Sequence, residues 1–280
     1  MKACDSVQLL LYNGRQKTIR STRYPAMTTA AEQSDVLPGC TLISRVDVYR
    51  TASIDGQRGG TPHIHLACDE MYYGIHGTGA VELLNYDGFH IRPVSPGDAV
   101  CFTPGTIHRA INPAGDLVIL VIMQNKGLPE RGDVAICMPH ETLIFAEAYE
   151  REMKVGDDAT ARRRRDLGVQ GFLELKQAFE RSLEEGRQAL DEFYRVAIER
   201  TRHQYAAWCQ VVEQGPAAEV RRSEQILAHL EAGSIESLRQ GRAFTAETGP
   251  HTSFGYCGNI HAYNPAAKSR FTPEGIRDRL

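Results

Sequence analysis

HIHLACDEMYYGIH (residues 63–76) and AVCFTPGTIHRAIN (residues 99–112) decide how this chain is read. His63 and His65 lie two apart in a stretch of strand character. Side chains at i and i+2 of a strand share a face, so both imidazoles enter the same space. Glu70 follows after four residues, enough for a short loop and the start of a returning strand. His108 comes after a Thr103-Pro104-Gly105 turn that brings a later strand back beside the first two. Three imidazoles and one carboxylate suit a divalent transition metal and leave coordination positions open for substrate or O2.

The same alternation extends outward. TLISRVDVYR (41–50) reads as a strand. GAVELLNYDGFHIRPV (79–94) reads as a hairpin turning at Asp87-Gly88, SPGD (95–98) as a turn, and LVILVIM (117–123) as an aliphatic strand. Short strands at roughly ten-residue spacing with Gly/Pro turns predict an all-β barrel or sandwich. Beyond residue 140 the period changes. Residues 141–154, 170–214 and 215–233 carry apolar residues at helical spacing, with Pro216 near one helix start and Gly233 at its stop. The expected organisation is an N-terminal arm (1–40), a β-barrel (41–140), a helical region (141–241) and a tail (242–280).

These residues resemble the cupin superfamily. Gly60, His63, His65, Glu70 and Gly77 follow its first motif, although Gly60 stands closer to the first histidine than usual. Gly97, Gly105, His108 and Asn112 follow its second, with Thr103 where a proline is usual. The resemblance covers roughly residues 40–125. It implies a mainly β cupin fold, a jelly-roll barrel (double-stranded β-helix), here with a C-terminal α-helical region. It also implies His63, His65, Glu70 and His108 as ligands of one divalent metal, Gly77, Gly97 and Gly105 as turn formers and Asn112 as structural. MYYGIHGTGAVELL and HRAINPAGD are further similar to cupin-type sugar-phosphate isomerases.

Two function classes follow. The first is a metal-dependent enzyme on a small polar molecule. Mononuclear non-haem iron dioxygenases or oxidases are a large class with this ligand set, so Fe(II) is favoured over Mn, Ni, Co or Zn. The alternative within this class is a Lewis-acid isomerase, lyase or decarboxylase. The second class is a non-catalytic small-molecule-binding cupin. Tyr72 shares the parity of Glu70 and is a catalytic candidate. Arg45 and Tyr49 alternate with Val46 and Val48. They join Tyr72 if the valine face packs outward, and stay outside the cavity in the opposite orientation. Cys68 is a passive neighbour, and His76 and His90 are surface histidines.

Composition excludes other classes. The 280 residues carry a formal net charge of −3, which gives no general affinity for nucleic acid. The Arg162–Arg165 run sits in a window (150–200) with 11 Lys/Arg against 12 Asp/Glu, so it reads as a solvated or inter-subunit helix face. Seven widely spaced cysteines without CxxC fit a reducing cytoplasm. No aliphatic run approaches the ~20 residues of a membrane span, and the N-terminus makes a poor signal peptide. No Walker loop, Rossmann fingerprint or GxSxG elbow occurs. A homodimer is expected from the several apolar helix stripes. The tail residues 251–264, with His251, Tyr256, His261, Tyr263 and Asn264, read as an irregular segment that is either a lid over the barrel mouth or packing on the helices.

Overall fold

A computed structural model describes residues 37–249 and 253–265. Most of the expected N-terminal arm, Cys4 and His251 lie outside these residues. Among the described residues the first strands are β1 (Leu42–Val48), β2 (His63–Ile64), β3 (Glu70–His76), β4 (Gly79–Asn85) and β5 (Gly88–Val94). It continues with β6 (Ala99–Phe102), β7 (Ile107–Ile111), β8 (Val118–Met123) and β9 (Ala135–Ile136). The helices are α1 (His140–Leu143), α2 (Ala146–Met153), α3 (Asp158–Arg181), α4 (Leu183–Thr201), α5 (Tyr205–Gln214), α6 (Pro216–Glu231) and α7 (Glu236–Arg239). The last strands are β10 (Ala246–Thr248), β11 (Ser253–Phe254) and β12 (Gly258–Pro265).

The strands form two antiparallel sheets of jelly-roll type. One has the order β10-β12-β1-β8-β3-β6, with β11 also on β12, and the other β5-β4-β7-β2-β9. Val46, Val48, Tyr72 and Val121 of the first pack with Val81 and Ala110 of the second in one core cluster, so the sheets face each other. Burial alternates along β1: Leu42, Ser44, Val46 and Val48 face inward. In β7 all five residues are buried, because His108 and Ala110 face the interior while Ile107 on the other face packs beneath helices. Phe172, Leu190 and Phe193 of α3 and α4 close over Ile64, Leu84 and Ile107. Each such aromatic or aliphatic burial stabilises by about 1.5–3 kcal/mol.

The C-terminal helices expected from the periodicity are present, and their ends follow local chemistry. Asp157 caps α3 by accepting from the Thr160 N–H (2.8 Å), while Thr160 accepts from the Asp157 N–H (3.1 Å), a reciprocal capping box. Ser182 breaks the long helical stretch and caps α4 through the Glu185 N–H (3.1 Å). Pro216 opens α6, and Gly233 follows it at φ +70°. No helix among the described residues is long and apolar enough to cross a membrane.

Two expectations are corrected. Only part of the arginine run is solvated. Arg162 pairs with Asp158, and Arg163 with Glu152. Arg164 and Arg165 are buried. Arg165 donates to the carbonyls of Thr51 and Ala52 (both 2.8 Å), which ties α3 to the barrel. The second correction concerns the tail. Its described residues are mostly strand, with β12 pairing along β1 from Ser44↔Ala262 to Val48↔Gly258. Gly258 permits this docking, since a Cβ there would lie 2.1 Å from the Asp47 carbonyl oxygen.

Candidate metal centre

The four predicted ligands converge. His63 lies on β2 and pairs with His108 on β7, so the two imidazoles emerge side by side. His65 leaves the end of β2, and Glu70 opens β3 opposite Met123 of β8. All four are buried, and one donor atom from each lies within 4.8 Å of the others. The His108 and His63 Nε2 atoms are 3.1 Å apart. Glu70 Oε2 is 3.0 Å from His108 Nε2 and 3.3 Å from His65 Nε2.

The histidine tautomers follow from their partners. His63 Nδ1 faces the Thr61 carbonyl (2.7 Å), and His108 Nδ1 faces the Thr106 carbonyl (2.9 Å). His65 Nδ1 faces the carbonyl of Asp133. A carbonyl only accepts, so each Nδ1 carries the proton and each Nε2 presents a lone pair inward. Glu70 Oε2 is buried without a hydrogen-bond donor. Convergent lone pairs around a donor-less carboxylate oxygen are stabilised by a cation, and the donor set is consistent with one divalent metal.

The electrostatics agree. Burial, reinforced by the imidazoles of His108 and His65, holds His63 well below the usual imidazole range. Burial also lowers His65, but Glu70 and then Asp133 more than offset it, so its pKa is raised. For Glu70, burial acts upward. His108 and His65 outweigh it and hold the carboxyl well below the usual carboxylate range. The site therefore favours an ionised Glu70.

Above these donors lies a cavity of about 360 Å³. Leu42, Val46, Val121 and Met123 give it an aliphatic wall, and Ser44, Glu130 and Asn264 add polar groups. Tyr72 lines it, buried, with its hydroxyl 2.8 Å from Cys257 Sγ. Arg45 does not: it is exposed and pairs with Asp47 (2.8 Å). Of the two orientations left open for β1, the one with the valines inward is found. Leu42 and Ser44 share that face and close the sheet interior, so Arg45 is placed on the outer side. Tyr49 is also outside the cavity lining and donates to the Gly255 carbonyl (3.0 Å). Burial raises its phenol to about 12.

Asp133 is a site residue that the sequence reading missed. It is fully buried; its carbonyl engages His65, and its Oδ1 accepts the N–H groups of Leu66 and Ala67 (2.9 Å each). It lies 68 positions from His65, with no local pattern to announce it. The tail supplies Tyr256 and Cys257 to the cavity wall. The glycines behave as the motif implies, with Gly77, Gly97 and Gly105 all at positive φ. Asn112 bridges strands, donating to the Val48 carbonyl and accepting from the Leu117 N–H (both 3.0 Å). Gly60 is explained by the tail: a Cβ there would lie 2.7 Å from Cys257 Cα.

Residues 51–123 match the family model described as Cupin domain. This stretch is similar to a cupin domain. It takes in about a quarter of the chain, and the helices and the tail lie outside it. No curated protein matches the chain. Among solved structures, a candidate sugar phosphate isomerase from Acidithiobacillus ferrooxidans ATCC 23270 is 32% identical over 23% of this chain and 40% of its own, with a TM-score of 0.20. KdgF from Halomonas sp. is 29% identical over 32% of this chain and 81% of its own, with a TM-score of 0.22. WlaRA, the TDP-fucose-3,4-ketoisomerase from Campylobacter jejuni, is 11% identical over 29% of this chain and 58% of its own, with a TM-score of 0.25. The chain thus spans about half the length of the first and third of these proteins.

Proposed function

We propose that this cupin protein is a metal-dependent enzyme acting on a small molecule, with His63, His65, Glu70 and His108 holding one divalent transition metal, Fe(II) in preference to Mn, Ni, Co or Zn. The reaction is an oxidation by O2, of dioxygenase or oxidase type. The observation that carries this reading is the contrast between one polar face and the rest of the cavity. Three of the four metal donors, His63, His65 and Glu70, line it, and Leu42, Val46, Val121 and Met123 line it with aliphatic groups. Among the described lining residues there is no lysine or arginine. Such a wall retains an apolar gas and an uncharged substrate body, and its lining adds no side-chain cation to the metal for holding a phosphate or other strongly anionic group. When bound, the metal would supply a redox centre with positions left open by its four protein donors. The chain's own residues fix the Nε2 tautomers, exclude water and pack the substrate. A homodimer belongs to the same proposal, with sedimentation equilibrium as its measure.

A Lewis-acid isomerase or lyase is the second reading, favoured by Glu130. Glu130 lines the same cavity without belonging to the donor cluster; its Oε2 accepts from the Gly127 N–H (2.7 Å), and its carboxylate is the proton acceptor of this reading. Metal analysis of the purified protein, with turnover of a panel of small oxygen-chelating compounds compared in air and under argon, separates the two. Turnover that stops under argon and consumes O2 supports oxygen chemistry; equal turnover under both gases overturns it.

Asp133→Ala tests the supporting groups. The carbonyl at position 133 remains, but the buried carboxylate that organises the His65–Ala67 turn is lost. Supporting groups of this kind are worth about 10–100-fold in metal affinity. Competition titration against a chelator is expected to show a loss in that range, and unchanged affinity would remove Asp133 from the site.

A further inference from the structure

The cavity has a second wall that does not come from the cupin domain. Ser253, Tyr256, Cys257, Ile260, Ala262 and Asn264 line it from the tail. Their backbone is held at several points. The Gly255 carbonyl accepts from Tyr49 Oη (3.0 Å) and from Arg164 Nη2 (2.7 Å). The Tyr256 carbonyl accepts from the Thr61 N–H (2.8 Å), and the Cys257 carbonyl from the Tyr49 N–H (3.2 Å). This is a fixed wall rather than a loose flap.

Tyr256 stands where that wall meets the donors. Its ring centroid is 4.8 Å from the His63 ring, and the Arg164 guanidinium lies 4.6 Å from the Tyr256 centroid. Arg164 itself is only 5% exposed, so α3 reaches through the protein to hold an aromatic ring that faces both a metal donor and the cavity. A cation–π contact of this kind, with the bond to Gly255, fixes the ring's position.

We propose that Tyr256 is the specificity-determining residue of this site and that Arg164 is its positioning residue. The proposal rests on the metal reading given above and names the substrate class. That class is a compact molecule with two adjacent oxygen donors at its metal end and a narrow, uncharged body against Tyr256 and the aliphatic wall. A cavity of about 360 Å³ lies near the lower end of small-molecule sites, so width beside Tyr256 is the limiting dimension. The donor cluster consists of His63, His65, Glu70 and His108, so replacing Tyr256 should change what fits and not what binds the metal.

The test uses the full chain loaded with Co(II), whose visible spectrum reports ligands entering the metal's coordination sphere without any turnover. Acetohydroxamate and benzohydroxamate are titrated in; both chelate through two oxygens and differ only in a methyl against a phenyl body. The wild type should bind acetohydroxamate at least about tenfold more tightly, a discrimination that pocket shape alone can provide. Tyr256→Ala should keep one Co(II) per chain and bring the two affinities within about twofold. Arg164→Ala should move the ratio in the same direction. Tyr256→Leu, which keeps apolar packing against His63, gives the same reading if alanine loosens the tail. A wild-type ratio near one, or a ratio unchanged in the Tyr256 variants while Co(II) stays bound, overturns this proposal and leaves the metal reading standing. A wild type that binds no Co(II) overturns the metal reading and this inference together.

Discussion

His65→Ala is expected to abolish stoichiometric metal binding. The variant removes one of four donors whose ligand atoms lie within 4.8 Å of each other, and no described neighbour replaces it in that cluster. It also deprives Glu70 of a partner at 3.3 Å, leaving a buried carboxylate with His108 alone. Groups that merely orient a ligand are worth up to about 100-fold, so loss of the ligand itself should exceed that, or about 2.7 kcal/mol of binding free energy. After dialysis, elemental analysis should fall from about one metal per chain to less than about a tenth. The metal-free forms of wild type and variant should give closely similar far-UV circular dichroism, which separates lost binding from lost fold. Unchanged stoichiometry in His65→Ala would break the ligand assignment.

The convergence of these four residues was legible because it depends on the two most local features of a strand, parity and turn chemistry. His63 and His65 share a face at i and i+2, and Gly105 at φ +84° lets the chain turn so that His108 returns beside His63. Tyr72 was placed inward by the same parity with Glu70. Parity alone did not orient β1, because both of its faces carry an aliphatic residue: Ile43 stands with Arg45 and Asp47, and Leu42 with Ser44, Val46 and Val48. What settles it is that Val46 and Val48 pack in one core with Val81 and Ala110 of the other sheet, a long-range fact.

The tail shows the same limit. SFGYCGNIHAYNP has no alternation, because its glycines serve close approach rather than pattern: Gly258 passes over Asp47, and Gly255 makes a turn, its N–H donating to the Gly258 carbonyl (2.8 Å). Its role depends on Thr61, Tyr49 and Arg164, which are about 90 to 200 positions away in the chain. The arginine run was read by its average charge and by the way a helix distributes four consecutive side chains around its axis, and neither says which of them meet other elements. Two of them meet the barrel and tail while the others meet solvent.

Arg109→Ala is expected to cost the fold about 3–5 kcal/mol, the range for removing one partner of a buried ion pair. Arg109 is wholly buried on β7. Its guanidinium donates to Asp55 Oδ2 (2.5 Å), to Glu82 Oε2 (3.3 Å) and to the Gly60 carbonyl (3.2 Å). It thereby fixes the Gly60 loop, which leads into His63. Alanine leaves Asp55 and Glu82 without that cation in a nearly dry position. For a domain of this size the melting temperature should drop by roughly 10 °C. The pH dependence gives a sharper check. In the wild type, burial pushes Asp55 up, but Arg109 outweighs burial and holds its carboxyl below the usual range. A depressed carboxylate contributes stability that is present above its unfolded value, near pH 4, and is lost as pH falls through the lower folded value. Without Arg109, burial acts on Asp55 against backbone N–H groups alone, among them that of Gln57 (3.1 Å), and its folded value rises. The ionised carboxylate then destabilises at neutral pH, and protonation relieves it. The melting-temperature gap between wild type and Arg109→Ala should therefore be widest near pH 7 and narrow toward pH 4. Adding Asp55→Asn to the variant should recover part of the loss at pH 7 and flatten that trend. A gap that is constant with pH would show that the lost stability is packing around β7 rather than the charge of the Arg109 cluster.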